Sequence, residues 1–161
     1  MRQAGRVVAE TLQRLREHVR VGVTTAELDE VAADCARSRG ATCAFKGYRG
    51  FPANVCVSIN EEVVHGIPGE RKVADGDIVS IDFGVRLNNY YGDAAVTVAV
   101  GNVSKATRRF LEVAEQALAL IFACTRRLFE SRRILEEAAT RLALGLSAVV
   151  NLLNPTTIIL N

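Results

Sequence analysis

From Ser80 to Val98 the chain reads SIDFGVRLNNYYGDAAVTV, two alternating apolar and polar stretches hinged on Asn88-Asn89. Asparagine tolerates a left-handed backbone better than other non-glycine residues, so this pair suits the centre of a two-residue hairpin turn. With the turn centred there, Leu87 faces Tyr90, Asp82 faces Ala95, and Asp93 becomes a diagonal neighbour of Asp82 on the same side of the ribbon. Val79, Ile81, Phe83 and Val85 share the opposite side with Ala94, Val96 and Val98. One face is greasy and should carry helices; the other is polar, with small neighbours around two carboxylates.

Diagonal residues lie roughly 7–8 Å apart at the backbone, so their side-chain tips can reach one shared ligand. Two negative charges held this close raise each other's proton affinity unless a cation sits between them. Paired carboxylates suit hard or borderline divalent ions. The same spacing also fits a solvated sheet face bearing acidic residues, and two aspartates make an incomplete ligand set.

Around this hairpin the periodicity predicts an α+β domain. Val7, Val8, Leu12, Leu15 and Val19 recur at helical spacing in a first helix that ends before Gly22. Thr24 with Glu27 three residues on forms a capping box for a second helix that stops at Gly40. From Ala41 to Gly101 the chain is rich in Val and Ile and punctuated by glycine and proline, which reads as short strands joined by turns. Ser104 caps a third helix through Ile121, Arg126 to Leu153 reads as a fourth, and Thr156 to Leu160 as a terminal strand.

The length of 161 residues allows one domain with a real core. The net charge of +2, with no basic stripe interleaved with aromatics, argues against nucleic acid as a partner. Cys35, Cys43, Cys56 and Cys124 have neither zinc-site spacing nor the density of a secreted scaffold, so a reducing cytoplasm is expected. The longest apolar run, Leu142 to Leu153, falls short of the roughly 20 residues a membrane span needs.

The stretch FKGYRGFPANVCVSINEEVVHGIPGERKVADGDIVSIDFGVRLNNYYGDAAVTVAVG, Phe45 to Gly101, resembles the N-terminal half of a type I methionine aminopeptidase. SINEEVVHGIP, DGDIVSIDFG and YYGDAAVT in this order carry the resemblance, which extends over about residues 1–120. It implies half of a pita-bread fold, an antiparallel sheet covered on one face by helices. It also implies a site that uses up to two divalent ions (Co, Mn, Fe or Zn) to remove N-terminal methionine from peptides. By motif, Asp82 would be the bidentate ligand of one metal and Asp93 the bridging carboxylate. His65 would bind substrate and stabilise the transition state. Tyr48, Phe51 and Cys56 would line the methionine pocket, and Asn60 would lie beside a monovalent-cation site.

The family's remaining ligands, a histidine in a GHGIG-like motif and two glutamates, have no counterpart here. Residues 1–123 therefore read as the aminopeptidase-like half and 124–161 as a divergent or fused helical tail. Within that tail, Arg141 to Asn161 shows a short, largely hydrophobic resemblance to sugar kinases and repressors of the ROK family, without their functional motifs. Three readings follow: a metallopeptidase half with catalysis impaired, a homodimer that completes the site with four aspartates, or a non-catalytic metal-binding, peptide-binding or structural module.

Overall fold

The computed structural model describes residues 1–130. The chain divides after Val103 into two units. In the first unit, α1 (Arg2–His18) and α2 (Thr25–Ser38) precede β1 (Thr42–Cys43), β2 (Cys56–Ile59), β3 (Ile78–Leu87) and β4 (Tyr90–Ala99). The second contains α3 (Lys105–Glu130).

All four strands are antiparallel, with β3 in the centre. On one side β3 pairs along its length with β4; on the other, β2 takes residues 79–82 and β1 takes Val85 and Arg86. The β3–β4 register places Leu87 opposite Tyr90, Asp82 opposite Ala95 and Gly84 opposite Asp93. This is the pairing that the Asn-Asn turn predicts. Asn88 and Asn89 both adopt left-handed φ values, 51° and 63°, so the turn matches the right-handed twist of the flanking strands.

The greasy face forms the core. Val79, Ile81, Phe83 and Val85 of β3 are fully buried, beside Val57 and Ile59 of β2 and Val7, Val8, Leu12 and Leu15 of α1. Helix α1 crosses this face so closely that a Cβ on Gly92 would sit 2.8 Å from the Ala4 carbonyl carbon. The second helix contributes Leu28, Ala32 and Ala36 to the same core. Its capping box is complete: the Thr24 hydroxyl accepts from the Glu27 amide, and the Glu27 carboxylate accepts from the Thr24 amide.

Ser104 caps α3 by accepting from the Thr107 amide. The helix then continues without a break through residues 121–130, where the periodicity predicted one helix ending and another beginning. No glycine or proline interrupts that stretch, so nothing in the backbone chemistry ends the helix. The expected boundary between residues 123 and 124 thus falls inside α3. The rest of the expected fourth helix, the terminal strand and the ROK-like segment lie outside the described residues. Among the described residues, no helix is long and apolar enough to cross a membrane.

Candidate metal centre

Because side chains alternate along a strand, the even-numbered residues of β3 project from the face opposite α1. The registers align them into rows with their neighbours. Ser58, Ser80 and Thr97 form one row, joined in part by a 2.9 Å hydrogen bond between the Ser80 and Thr97 hydroxyls. Cys56, Asp82 and Ala95 form the next. Gly84 and Asp93 follow.

Asp82 and Asp93 are therefore diagonal neighbours on one face. Asp82 is half-buried and Asp93 is exposed. Asp82 Oδ1 is fully shielded from solvent and has no hydrogen-bond partner. Burial raises the Asp82 carboxyl from 3.8 to about 7, helped by the charge of Asp93 and by a hydrogen bond between the two carboxyl groups. Burial also raises Asp93, although its hydrogen bond with Asp82 works against the rise. Such a pair resists carrying two negative charges when nothing else neutralises it.

Cys56 is buried directly across from Asp82. Its thiol is pushed up to about 12, first by burial and then by the Asp82 and Asp93 carboxylates. It behaves here as a small apolar wall. Gly84 lies against the ring of Phe45, which a Cβ would approach to 2.8 Å. Phe51 meets that ring edge-on, with centroids 6.5 Å apart at 87°. An apolar aromatic pair therefore borders the carboxylates on the side of Gly84. Phe45 is absent from the residues that the motifs single out, yet a glycine inside a strand is a sign that another group approaches closely.

Tyr48 is exposed, with the Arg49 guanidinium 5.5 Å from its ring centroid. His65 is exposed on the loop after β2, at a left-handed φ of 60°, and its ring has no hydrogen bond to Asp82 or Asp93. That loop is pinned along β2: Gly66 donates to the Ser58 hydroxyl at 3.0 Å, and its carbonyl accepts from the Val57 amide at 3.0 Å. The side chain of Asn60 is engaged locally, donating to Asp77 at 2.8 Å and accepting from the Ile78 amide at 3.0 Å.

Two carboxylates, one of them with a buried oxygen that has no partner, suit part of the coordination shell of a divalent cation. Among the described residues, no cluster of three or more His, Cys, Asp or Glu side chains is placed to hold a metal ion. The donor set is thus a partial one.

Residues 1–150 match the family described as metallopeptidase family M24. Over 118 residues the chain is 52% identical to methionine aminopeptidase 1 of Bacillus subtilis, covering 73% of this chain and 48% of that one. A methionine aminopeptidase of Clostridium perfringens is 49% identical over 117 residues, with 73% and 47% covered. The crystal structure of methionine aminopeptidase from Thermotoga maritima superposes with a TM-score of 0.73 at 38% identity, covering 75% of this chain and 49% of that one. The chain spans about half the length of the curated relatives it matches.

Proposed function

The chain belongs to metallopeptidase family M24, and on that premise we propose that it carries one half of a methionine-aminopeptidase-type site, able to hold a divalent cation and a methionine side chain. The observation that carries this reading is the diagonal pair of Asp82 and Asp93, with one Asp82 oxygen buried and unpartnered. Asp82 and Asp93 hold the ion, of the Mn, Co, Fe or Zn type. A bound ion of this kind supplies a Lewis acid that polarises a peptide carbonyl and lowers the pKa of a water.

Phe51, resting on Phe45, and buried Cys56 provide an apolar wall beside the carboxylates. This wall suits the unbranched thioether of methionine. Tyr48 closes the pocket from its exposed position, and His65 presents a ring nitrogen to the peptide from the pinned loop. Asn60 supports the turn beside a monovalent-cation site. The four unpaired cysteines suit work in the cytoplasm.

Neither aspartate can serve as a proton-transfer base while it neutralises a cation, and a hydrolytic site needs one. The single chain is therefore expected to bind metal weakly and to turn over little or no peptide. Calorimetric titration with Mn²⁺ tests this: weak binding is expected in the wild type and none in Asp82→Asn. Absence of binding at millimolar Mn²⁺ would remove the metal reading. Gel filtration of the Mn²⁺-loaded chain, paired with a Met-Ala-Ser hydrolysis assay, separates a lone half site from two copies sharing four aspartates. A dimer with turnover would show that a second copy completes the site.

A further inference from the structure

We propose that Asp29, on α2, is the positioning residue of the pocket wall, fixing from the helical layer the loop that sets Phe51 against Phe45 on the polar face. Asp29 Oδ1 accepts from the Asn54 amide at 2.7 Å and from the Val55 amide at 3.1 Å, while Oδ2 accepts from Asn54 Nδ2 at 2.6 Å. Hydrogen bonds to an ionised carboxylate are roughly twice as strong as neutral ones. This carboxylate reaches the two residues that immediately precede β2.

The loop it holds has little else to fix it. Between Gly47 and Phe51 the backbone bonds only to itself and to Phe45: Gly47 donates to Phe51, Tyr48 to Phe45, Gly50 to Gly47 and Phe51 to Tyr48. Gly47, Arg49 and Gly50 all take left-handed φ values, 86°, 49° and 84°. For Arg49 that conformation is strained and persists only when its surroundings enforce it. At the upstream end, the Ala44 amide donates to the Gly84 carbonyl at 2.8 Å. At the downstream end, Asp29 supplies the anchor.

Phe45 and Phe51 lie between these two anchors. The Phe45 ring covers Gly84, which faces Asp93 across the hairpin. Asp29 thus holds Asn54, three residues along the backbone from Phe51, and Phe51 meets Phe45, whose ring covers Gly84 at the edge of the carboxylate pair. Loosening the downstream anchor moves the wall while leaving Asp82 and Asp93, which are fixed by the hairpin register, in place. The assignment rests on the reading that Phe51 lines a methionine pocket.

The experiment compares the wild type with Asp29→Asn and Asn54→Ala in the full chain. Asp29→Asn keeps the side-chain shape but removes the charge and sets an amide against donor groups. Asn54→Ala deletes only the 2.6 Å bond and serves where the first variant does not fold. Two readouts are used. Ring-current shifts of the Phe45 and Phe51 protons report the edge contact directly, whatever the chain binds. They are expected to collapse in Asp29→Asn and to move less, in the same direction, in Asn54→Ala, with the signals of Ile81 and Phe83 unchanged. L-methionine titration of the Mn²⁺-loaded chain is expected to weaken by about tenfold in Asp29→Asn, since small misplacements of positioning groups carry large penalties, while Mn²⁺ affinity stays the same.

Unmoved Phe51 signals in a folded variant overturn the assignment, as does a parallel shift of the core signals, which would mark a merely structural role. Unchanged methionine affinity despite moved rings also overturns it. If the wild type binds no methionine, the pocket reading fails on its own account, and the ring shifts still decide whether Asp29 fixes the wall.

Discussion

Near pH 8 in a chelating buffer, Asp82→Asn is expected to be more stable than the wild type. In the metal-free chain Asp82 is half-buried beside Asp93, with one oxygen that bonds to nothing. Its carboxyl is raised from 3.8 to about 7, so folding at higher pH has to keep a charge where the protein resists one. A shift of that size corresponds to about 4 kcal/mol at most. Solvent at the exposed rim, where Asp93 lies, reduces this to roughly 2 kcal/mol. An asparagine at position 82 carries no charge and can donate to the Asp93 carboxylate. The penalty is absent below about pH 4, where both folded and unfolded chains are protonated, grows between about pH 4 and 7, where the folded state retains a proton that the unfolded chain has already lost, and levels off above that. Urea unfolding of the two proteins should therefore coincide at about pH 4 and diverge by roughly 1 M in midpoint near pH 8. Without the chelator, millimolar Mn²⁺ should narrow the gap by stabilising only the wild type. A variant less stable than the wild type near pH 8, or equally stabilised by Mn²⁺, would show that the two carboxylates do not oppose each other across this face.

Three further outcomes are expected. Thiol labelling near pH 8, followed by mass spectrometry, should modify exposed Cys124 first, because burial pushes Cys43 up to about 11 and Cys56 up to about 12; rapid labelling of Cys56 in the native chain would contradict its place behind Asp82. Gly66→Ala puts a methyl group against the Val57 carbonyl and 2.9 Å from Ser58 Cα, so thermal unfolding should report a loss of roughly 2–3 kcal/mol, with the His65 signals moving toward those of a free loop. Asn89→Gly, at a φ of 63°, relieves the left-handed turn and should raise stability by about 0.5 kcal/mol in the same measurement; a loss would mean that the asparagine side chain contributes more than its backbone costs.

The parts of this structure that were legible in the sequence are those fixed by short-range chemistry. Asn88-Asn89 and the period-two alternation on either side specify a register that sets Asp82 and Asp93 on one face. Thr24 and Glu27 announce the start of α2 from three residues apart. The less legible parts depend on contacts distant in sequence. Asp29 on a helix reads as a solvated acid, because nothing near it shows that Asn54 and Val55, 25 and 26 residues later, will present their amides to it. Phe45 reads as an ordinary core aromatic until Gly84 is seen as the gap it fills. Asn60 and His65 belong to recognisable motifs, but a motif does not say whether a side chain faces the carboxylates, bonds to its own turn, or stands in solvent.

β3 carries both the apolar core and the carboxylate face in a single strand. Its odd-numbered residues, Val79 to Val85, are fully buried in an apolar core, and each fully buried side chain of that kind contributes on the order of 1.5–3 kcal/mol. Its even-numbered residues include a carboxylate that opposes folding when no cation is present. The two sets cannot be repositioned independently, because a one-residue slip would move every side chain to the other face. The core therefore holds the carboxylates together against their mutual repulsion, and a cation that relieves the repulsion gains its affinity from strain the core has already absorbed. In such an arrangement metal affinity and metal-free stability move in opposite directions when the polar face is changed, and fall together when the apolar face is.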